Sequence, residues 1–146
     1  MSVLSLLLNL LWIVFGGFWM AIAWGIASVL MALTIVGLPW TRAAFNIAVY
    51  TFLPFGQRPV SRAAFLGRED LGTGVLGTIG NILWLLFAGL ALAVMHAALA
   101  LLLAMTIIGL PFAWANLKLA AFALWPVGRI VVPVHEAYRI GWVKRA

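Results

Sequence analysis

The hexapeptide Thr-Ile-Val-Gly-Leu-Pro at residues 34–39 returns 72 residues later as Thr-Ile-Ile-Gly-Leu-Pro at residues 106–111. Asn-Leu-Leu-Trp at 9–12 returns at the same offset as Asn-Ile-Leu-Trp at 81–84, and Pro-Phe-Gly at 54–56 returns as Pro-Val-Gly at 126–128. Unrelated apolar helices would not keep asparagine, threonine, glycine and proline in register. The pattern therefore indicates an internal duplication, and the repeated unit decides the fold.

The composition around these motifs excludes a water-soluble domain. Of the 146 residues, 66% are hydrophobic and 8% are charged, with a mean hydropathy of +1.18. Soluble domains have about 45–50% apolar and about 25% charged residues. No charged residue occurs from Val3 to Val36 or from Leu71 to Leu117, and about 20 apolar residues suffice to cross a bilayer. The first run lacks the basic start, the short apolar core and the cleavage site of a signal peptide. We therefore expect an integral membrane protein in which this run is retained as a membrane segment.

Each repeat predicts two helices, so the expected fold is an all-α integral membrane protein. A long transmembrane helix (about 4–36 and 80–108) precedes the Gly-Leu-Pro motif, and a shorter return helix (about 40–53 and 112–125) ends at Pro-x-Gly. Proline suits the first turn of a helix but opposes its continuation. The residues that break the chain are Gly37, Pro39, Pro54 and Gly56, and in the second repeat Gly109, Pro111, Pro126 and Gly128. A return helix of ~21 Å is shorter than the ~30 Å bilayer core, so it could span, re-enter or lie at the interface.

Four segments follow from these boundaries. They are a first membrane repeat (1–56), a Gly-rich basic linker (57–79), a second membrane repeat (80–134) and a basic tail (135–146).

Basic residues outside the helices predict the orientation. Arg58, Arg62 and Arg68 follow the first repeat, whereas Arg129, Arg139, Lys144 and Arg145 follow the second. Basic segments stay on the cytoplasmic side of a bacterial inner membrane, so we expect a multi-pass protein with both clusters and both termini there. Each repeat then crosses an even number of times, and the two repeats run parallel. An inverted repeat is the second choice, since it would separate the clusters.

Small residues recur every four positions along each long helix. They are Gly17, Ala21 and Gly25 in the first repeat and Gly89, Ala93 and Ala97 in the second. Such a stripe lets membrane helices approach closely. We therefore predict a packing face used for homo-oligomerisation, on a helix that continues without a break through Gly16 and Gly17.

The motifs of both repeats resemble those of the YccF family of small bacterial inner-membrane proteins. The resemblance rests on residues 81–84, 95–96 and 106–111, and above all on Ala115–Ala120 leading into Ala123–Arg129. It covers nearly the whole chain, and the second repeat is the more specific half. The resemblance implies an inner-membrane location and a fold of membrane helices, and it carries over no catalytic residue.

Few residues in this chain could perform chemistry. The acids are Glu69, Asp70 and Glu136, all outside the predicted helices, and cysteine is absent. Because no nucleophile, histidine and acid fall in a catalytic pattern, we expect neither an enzyme nor a metal site or cofactor.

Five polar residues at membrane depth are candidates for lining a pathway or binding site: Lys118, Asn116, His96, Arg42 and Asn46. An ionisable residue inside a membrane is a functional candidate by default. The alternative for His96 is a neutral imidazole hydrogen-bonded to a neighbouring helix, and for Lys118 and Arg42 it is snorkelling to lipid headgroups. Asn9 and Asn81 are expected to join helices by hydrogen bonds.

Two functions from different classes fit this pattern. The first is a homo-oligomeric channel or small-solute pathway with an anion preference, since so small a chain needs several subunits to enclose a pore. The second is a structural or accessory protein that docks on a larger transporter or organises lipid. The expected partners are membrane lipid, further copies of the chain and a small anion, with no nucleic acid.

Overall fold

The first repeat forms the predicted pair of helices. The computed structural model describes residues 2–139, so Lys144 and Arg145 of the predicted tail lie outside the described residues. The first long helix comprises α1 (Val3–Trp12), a π-helical turn (Ile13–Gly17) and α2 (Phe18–Leu33), and the return helix is α3 (Leu38–Phe52). Both long helices of the chain are long and apolar enough to cross a membrane.

The second repeat has the same order of elements. Its long helix comprises α5 (Gly74–Trp84), a π-helical turn (Leu85–Gly89) and α6 (Leu90–Ala104), and its return helix is α7 (Leu110–Leu124). The long helix begins six residues before the predicted start at position 80. The remaining elements are strand β1 (Gln57–Ser61), α4 (Arg62–Leu66), strand β2 (Arg129–Pro133) and α8 (Val134–Arg139).

The prediction of an all-α fold missed these two strands. They form an antiparallel ribbon, from Gln57 opposite Pro133 to Ser61 opposite Arg129. Each strand contains proline and arginine, and its hydrogen bonds come from a partner far away in the sequence. Neither strand shows the period-two alternation by which a strand can be recognised.

Threonine and glycine shape the break before each return helix. Thr106 Oγ1 accepts a hydrogen bond from the Gly109 N–H (3.0 Å) and donates one to the Leu103 carbonyl oxygen (3.2 Å). A Cβ at Gly109 would collide with that same carbonyl oxygen. Pro111 then occupies the first turn of α7, as predicted, and Thr34, Gly37 and Pro39 repeat the arrangement.

The first long helix is interrupted where a continuous helix was predicted. Gly16 has φ +116°, outside the helical region, and Phe15 also departs from helical angles. Gly17 is needed for packing within its own helix, because a Cβ at this position would collide with the indole of Trp12. The prediction of an unbroken helix through Gly16 is therefore wrong.

Two apolar cores show how the repeats pack together. In the first core, Trp24, in the second half of the first long helix, and Trp40 of its return helix pack with two residues of the second repeat. These are Trp84, in the first half of the second long helix, and Val127, just after its return helix. In the second core, the halves are exchanged, so that Trp12 packs with Phe112, Leu119 and Leu103. In both cores, the first half of one long helix therefore packs with the second half of the other. The two long helices run in opposite directions where they pass each other. The predicted placement of both basic clusters and both termini on one side of the membrane stays a prediction.

A pseudo-two-fold axis relates the repeats. Pro59 pairs with Val131 at the centre of the ribbon, and Trp24 hydrogen-bonds to His96 in the core. Each pair joins residues 72 positions apart, which are counterparts in the duplication, so the axis passes between them. Since it relates antiparallel helices, it runs perpendicular to them. The ribbon lies on this axis and brings both basic segments together.

Candidate functional site

Buried asparagine and tryptophan side chains close the end of each return helix. Asn81 Nδ2 donates to the Val127 carbonyl oxygen (3.1 Å), and the Val127 N–H donates to Asn81 Oδ1 (2.9 Å). Trp84 Nε1 donates to the Ala123 carbonyl oxygen (2.8 Å). In a continued helix the Val127 N–H would bond that carbonyl. Two side chains therefore replace the backbone bond that is lost where the helix ends before Pro126.

The first repeat contains the same clamp. Asn9 exchanges two hydrogen bonds with the Phe55 backbone (3.0 and 2.9 Å), and Trp12 Nε1 donates to the Thr51 carbonyl oxygen (2.8 Å). Both asparagines thus join a long helix to the segment after its return helix, in agreement with their predicted role as hydrogen-bonding links.

A polar junction lies in the core between the repeats. Trp24 Nε1 donates to His96 Nε2 (3.0 Å), His96 Nδ1 lies 2.8 Å from Asn116 Oδ1, and Asn116 Nδ2 donates to the Phe112 carbonyl oxygen (3.1 Å). The Trp24 donor requires a lone pair on Nε2, so the proton of a neutral imidazole is on Nδ1 and is donated to Asn116. Trp24, His96 and Asn116 are fully buried, and this geometry matches the neutral, hydrogen-bonded histidine that was the alternative to a pathway role.

Three cations surround one cavity beside the ribbon. The cavity, of about 490 Å³, is lined by Arg58 of β1, Lys118 of α7 and Arg129 of β2, together with Phe122. Lys118 Nζ lies 5.3 Å from the centre of the Trp114 ring, and the Arg129 guanidinium lies 5.9 Å from that of Phe122. Cation–π contacts of this kind hold a charged head over an aromatic face. We call this cavity the basic groove.

Arg42 and Asn46 border a different cavity. Its volume is about 770 Å³, and Arg62 and Ser28 also line it. Arg62 forms an ion pair with Asp70 (2.6 Å). Limited burial acts to raise the pKa of Asp70, but the Gly72 N–H and the Arg62 guanidinium outweigh it, so this pKa is below its usual value. The five predicted pathway residues therefore fall into three places: His96 with Asn116, Arg42 with Asn46, and Lys118 alone.

The predicted packing residues mostly serve contacts within the chain. Gly89 and Ala93 are buried, and a Cβ at Gly89 would approach the Ala123 carbonyl oxygen of α7. Gly17 is buried against Trp12, and Ala21 lies beside α3. Gly25 has open space where a Cβ would be, and Ala97 is exposed.

The sequence interpretation missed Trp24, Arg58 and Arg129 as site residues. A signal for Trp24 existed, since it is the counterpart of His96 in the duplication and counterparts meet at a two-fold axis. Arg58 and Arg129 were read only as markers of orientation. Within residues 2–139, no group of three or more His, Cys, Asp or Glu side chains could hold a metal ion.

Two repeats of apolar helices with a ribbon of basic strands define a small, duplicated membrane protein. A family model described as an inner membrane component domain, YccF, matches residues 7–57 and again 79–129. The chain belongs to the YccF family. It is 41% identical over 133 residues to the inner membrane protein YccF of Escherichia coli (strain K12) and equally to that of Shigella flexneri, covering 89% of this chain and 88% of each relative. No solved structure matches the chain.

The family match confirms the resemblance and the two-fold repeat, and it makes this chain an inner membrane protein. The matched segments are themselves 72 residues apart, as in the offset between the repeated motifs.

Proposed function

We propose that this chain forms a homo-oligomeric pathway for small anions across the inner membrane, with the basic groove in its lining. The supporting observation is the position of the ribbon. If the long helices cross the bilayer, an axis perpendicular to them puts Arg58, Lys118 and Arg129 near its mid-depth. A charge facing lipid there costs about 2.5–3.5 kcal/mol, so these groups need water around them.

Several subunits would have to enclose that water. Ions have no route through the junction, since His96 and Asn116 are fully buried and bonded to protein groups. The basic groove opens at the surface, where a neighbouring copy can supply the opposite wall. Gly25 and Ala97 remain open for contact between subunits.

Planar bilayers containing the purified protein test this function. We expect currents that carry anions more readily than cations. Lys118→Glu should abolish or reverse the preference, because it places an acid among the cations of the groove, and Lys118→Arg should keep it. Arg68→Glu makes the same charge change outside the groove and should leave the preference intact. Bilayers that stay silent with correctly folded protein would contradict the pathway.

A second candidate is a structural protein that organises lipid or docks on a transporter. It is favoured by the ends of the long helices, which are apolar and exposed: Ile35 is 76% exposed and Ile107 is 87% exposed at the turns. Such ends suit helices that lie within one leaflet, with the ribbon at the membrane surface. The basic residues would then be lipid anchors.

The position of the N-terminus separates the two candidates. Antiparallel helices that cross the membrane begin on opposite sides, whereas helices within one leaflet leave both termini cytoplasmic, as first expected. The chain lacks cysteine, so Ser2→Cys and Leu71→Cys can be labelled separately with an impermeant thiol reagent in spheroplasts. The pathway predicts labelling at position 2 and protection at position 71, which lies near Arg68. If both cysteines are protected in intact spheroplasts and become labelled after permeabilisation, the long helices do not cross the membrane.

A further inference from the structure

We infer that the basic groove is a binding site for phosphate-type oxyanions, carried either by a lipid headgroup or by a free phosphate. This inference rests on the proposed anion pathway for its purpose, but its evidence comes from a comparison within the molecule. The duplication provides a second copy of the same groove.

The second copy adjoins the basic groove, and Tyr50 and Gln57 line both cavities. This cavity, of about 260 Å³, is lined by Asn46, Val49, Tyr50, Gln57, Ile130 and Val131. Five of these six residues are the counterparts, 72 positions apart, of residues that line the basic groove: Lys118, Phe122, Arg129, Arg58 and Pro59. We call it the neutral groove.

The two grooves differ in charge at three positions. Lys118, Arg129 and Arg58 correspond to Asn46, Gln57 and Ile130. Two of the cations come from the second repeat and one from the first, yet all three line the same groove. If these cations served only to orient the protein in the membrane, they could lie in either groove. All three lie in the same groove, which favours a ligand at that groove.

The chemistry of these cations matches an oxyanion. An arginine offers a planar fork of donors that suits phosphate oxygens, and a lysine adds a point charge. No acidic residue lines the groove, and the ion pair of Arg62 with Asp70 is the one found within residues 2–139. The rings of Trp114 and Phe122 position the lysine and one arginine without neutralising them.

A triple variant that copies the neutral groove tests the site: Arg58→Ile, Lys118→Asn and Arg129→Gln. The chain already tolerates these residues at equivalent positions, so the variant is expected to fold. We expect the parent protein in detergent to bind inorganic phosphate saturably, and the triple variant to bind on the order of tenfold more weakly or not at all, since charge-assisted hydrogen bonds are lost. The reciprocal variant, Asn46→Lys with Ile130→Arg, leaves the shared Gln57 unchanged and should add a second phosphate.

The controls separate the site from general charge and from conduction. Arg68→Asn removes a cation outside the groove, and this variant should bind phosphate like the parent. Nanodiscs that contain phosphatidylglycerol identify a headgroup ligand if they protect the parent, but not the triple variant, against thermal unfolding. Binding of phosphate without any current would refute the pathway and leave the site. If the triple variant equals the parent in both phosphate and lipid binding, the site is refuted, whatever the currents show.

Discussion

Replacing Asn81 with leucine is expected to lower the free energy of unfolding by about 2–6 kcal/mol, because two buried backbone groups lose their partners at about 1–3 kcal/mol each. The groups are the N–H and carbonyl of Val127, which bond to the amide of Asn81. Proline precedes Val127 and the helix has ended, so its backbone cannot re-form a helical bond. Leucine keeps the branched shape and the number of side-chain heavy atoms of asparagine, and its larger volume in this buried position adds to the loss.

Unfolding in detergent with increasing denaturant, followed by circular dichroism, measures this loss. Ile82→Leu is the matched control, since it changes an exposed neighbour on the same helix and should be nearly neutral. Asn9→Leu should cost less than Asn81→Leu, because Phe55 is only partly buried. Equal stability of the Asn81 and Ile82 variants would contradict the role of the clamp.

Replacing His96 with leucine is expected to cost a similar amount, about 2–6 kcal/mol, because Trp24 Nε1 and Asn116 Oδ1 are both left buried without a partner. The imidazole satisfies both groups at once in the structure. Removing it would also weaken the contact between the repeats, since Trp24 and His96 meet at the pseudo-two-fold axis.

A double-mutant cycle isolates this junction. Trp24→Phe removes the indole donor, so His96→Leu should cost less in that background, with a coupling energy of about 0.5–3 kcal/mol. The exposed Met95 lies next to His96, and Met95→Leu is the neutral control. Additive losses for Trp24→Phe and His96→Leu would show that the two residues contribute independently and would contradict the junction.

Much of the local structure could be predicted from the sequence. The helix breaks at Gly37 and Gly109 follow from chain sterics, and the long apolar runs follow from composition, so both were found close to their observed positions. The interruption at Gly16 was missed, although its counterpart Ala88 already indicated that the repeats differ there. The small-residue stripe was identified, but most of it packs within its own chain, chiefly because a return helix lies beside each long helix.

The site was less predictable. His96 and Asn116 were recognised as unusual at membrane depth, but their mutual bond and the donor from Trp24 join three separate helices. The basic groove combines β1, α7 and β2. From the sequence, Arg58 and Arg129 were interpreted as orientation signals, and Lys118 as a pathway residue or a lipid anchor. Only their common cavity suggests a ligand.

The sequence by itself determined the duplication, the apolar character of the long helices and the positions at which the chain turns, because each depends on residues close together in the chain. The tertiary structure alone decided that the long helices pass each other in opposite directions and that the basic segments meet. Both features come from contacts between residues far apart: the pairing of Pro59 with Val131 and the exchange of halves between the two apolar cores. Either relative direction of the long helices is compatible with the same local pattern, so only these long-range hydrogen bonds and packing contacts decide it.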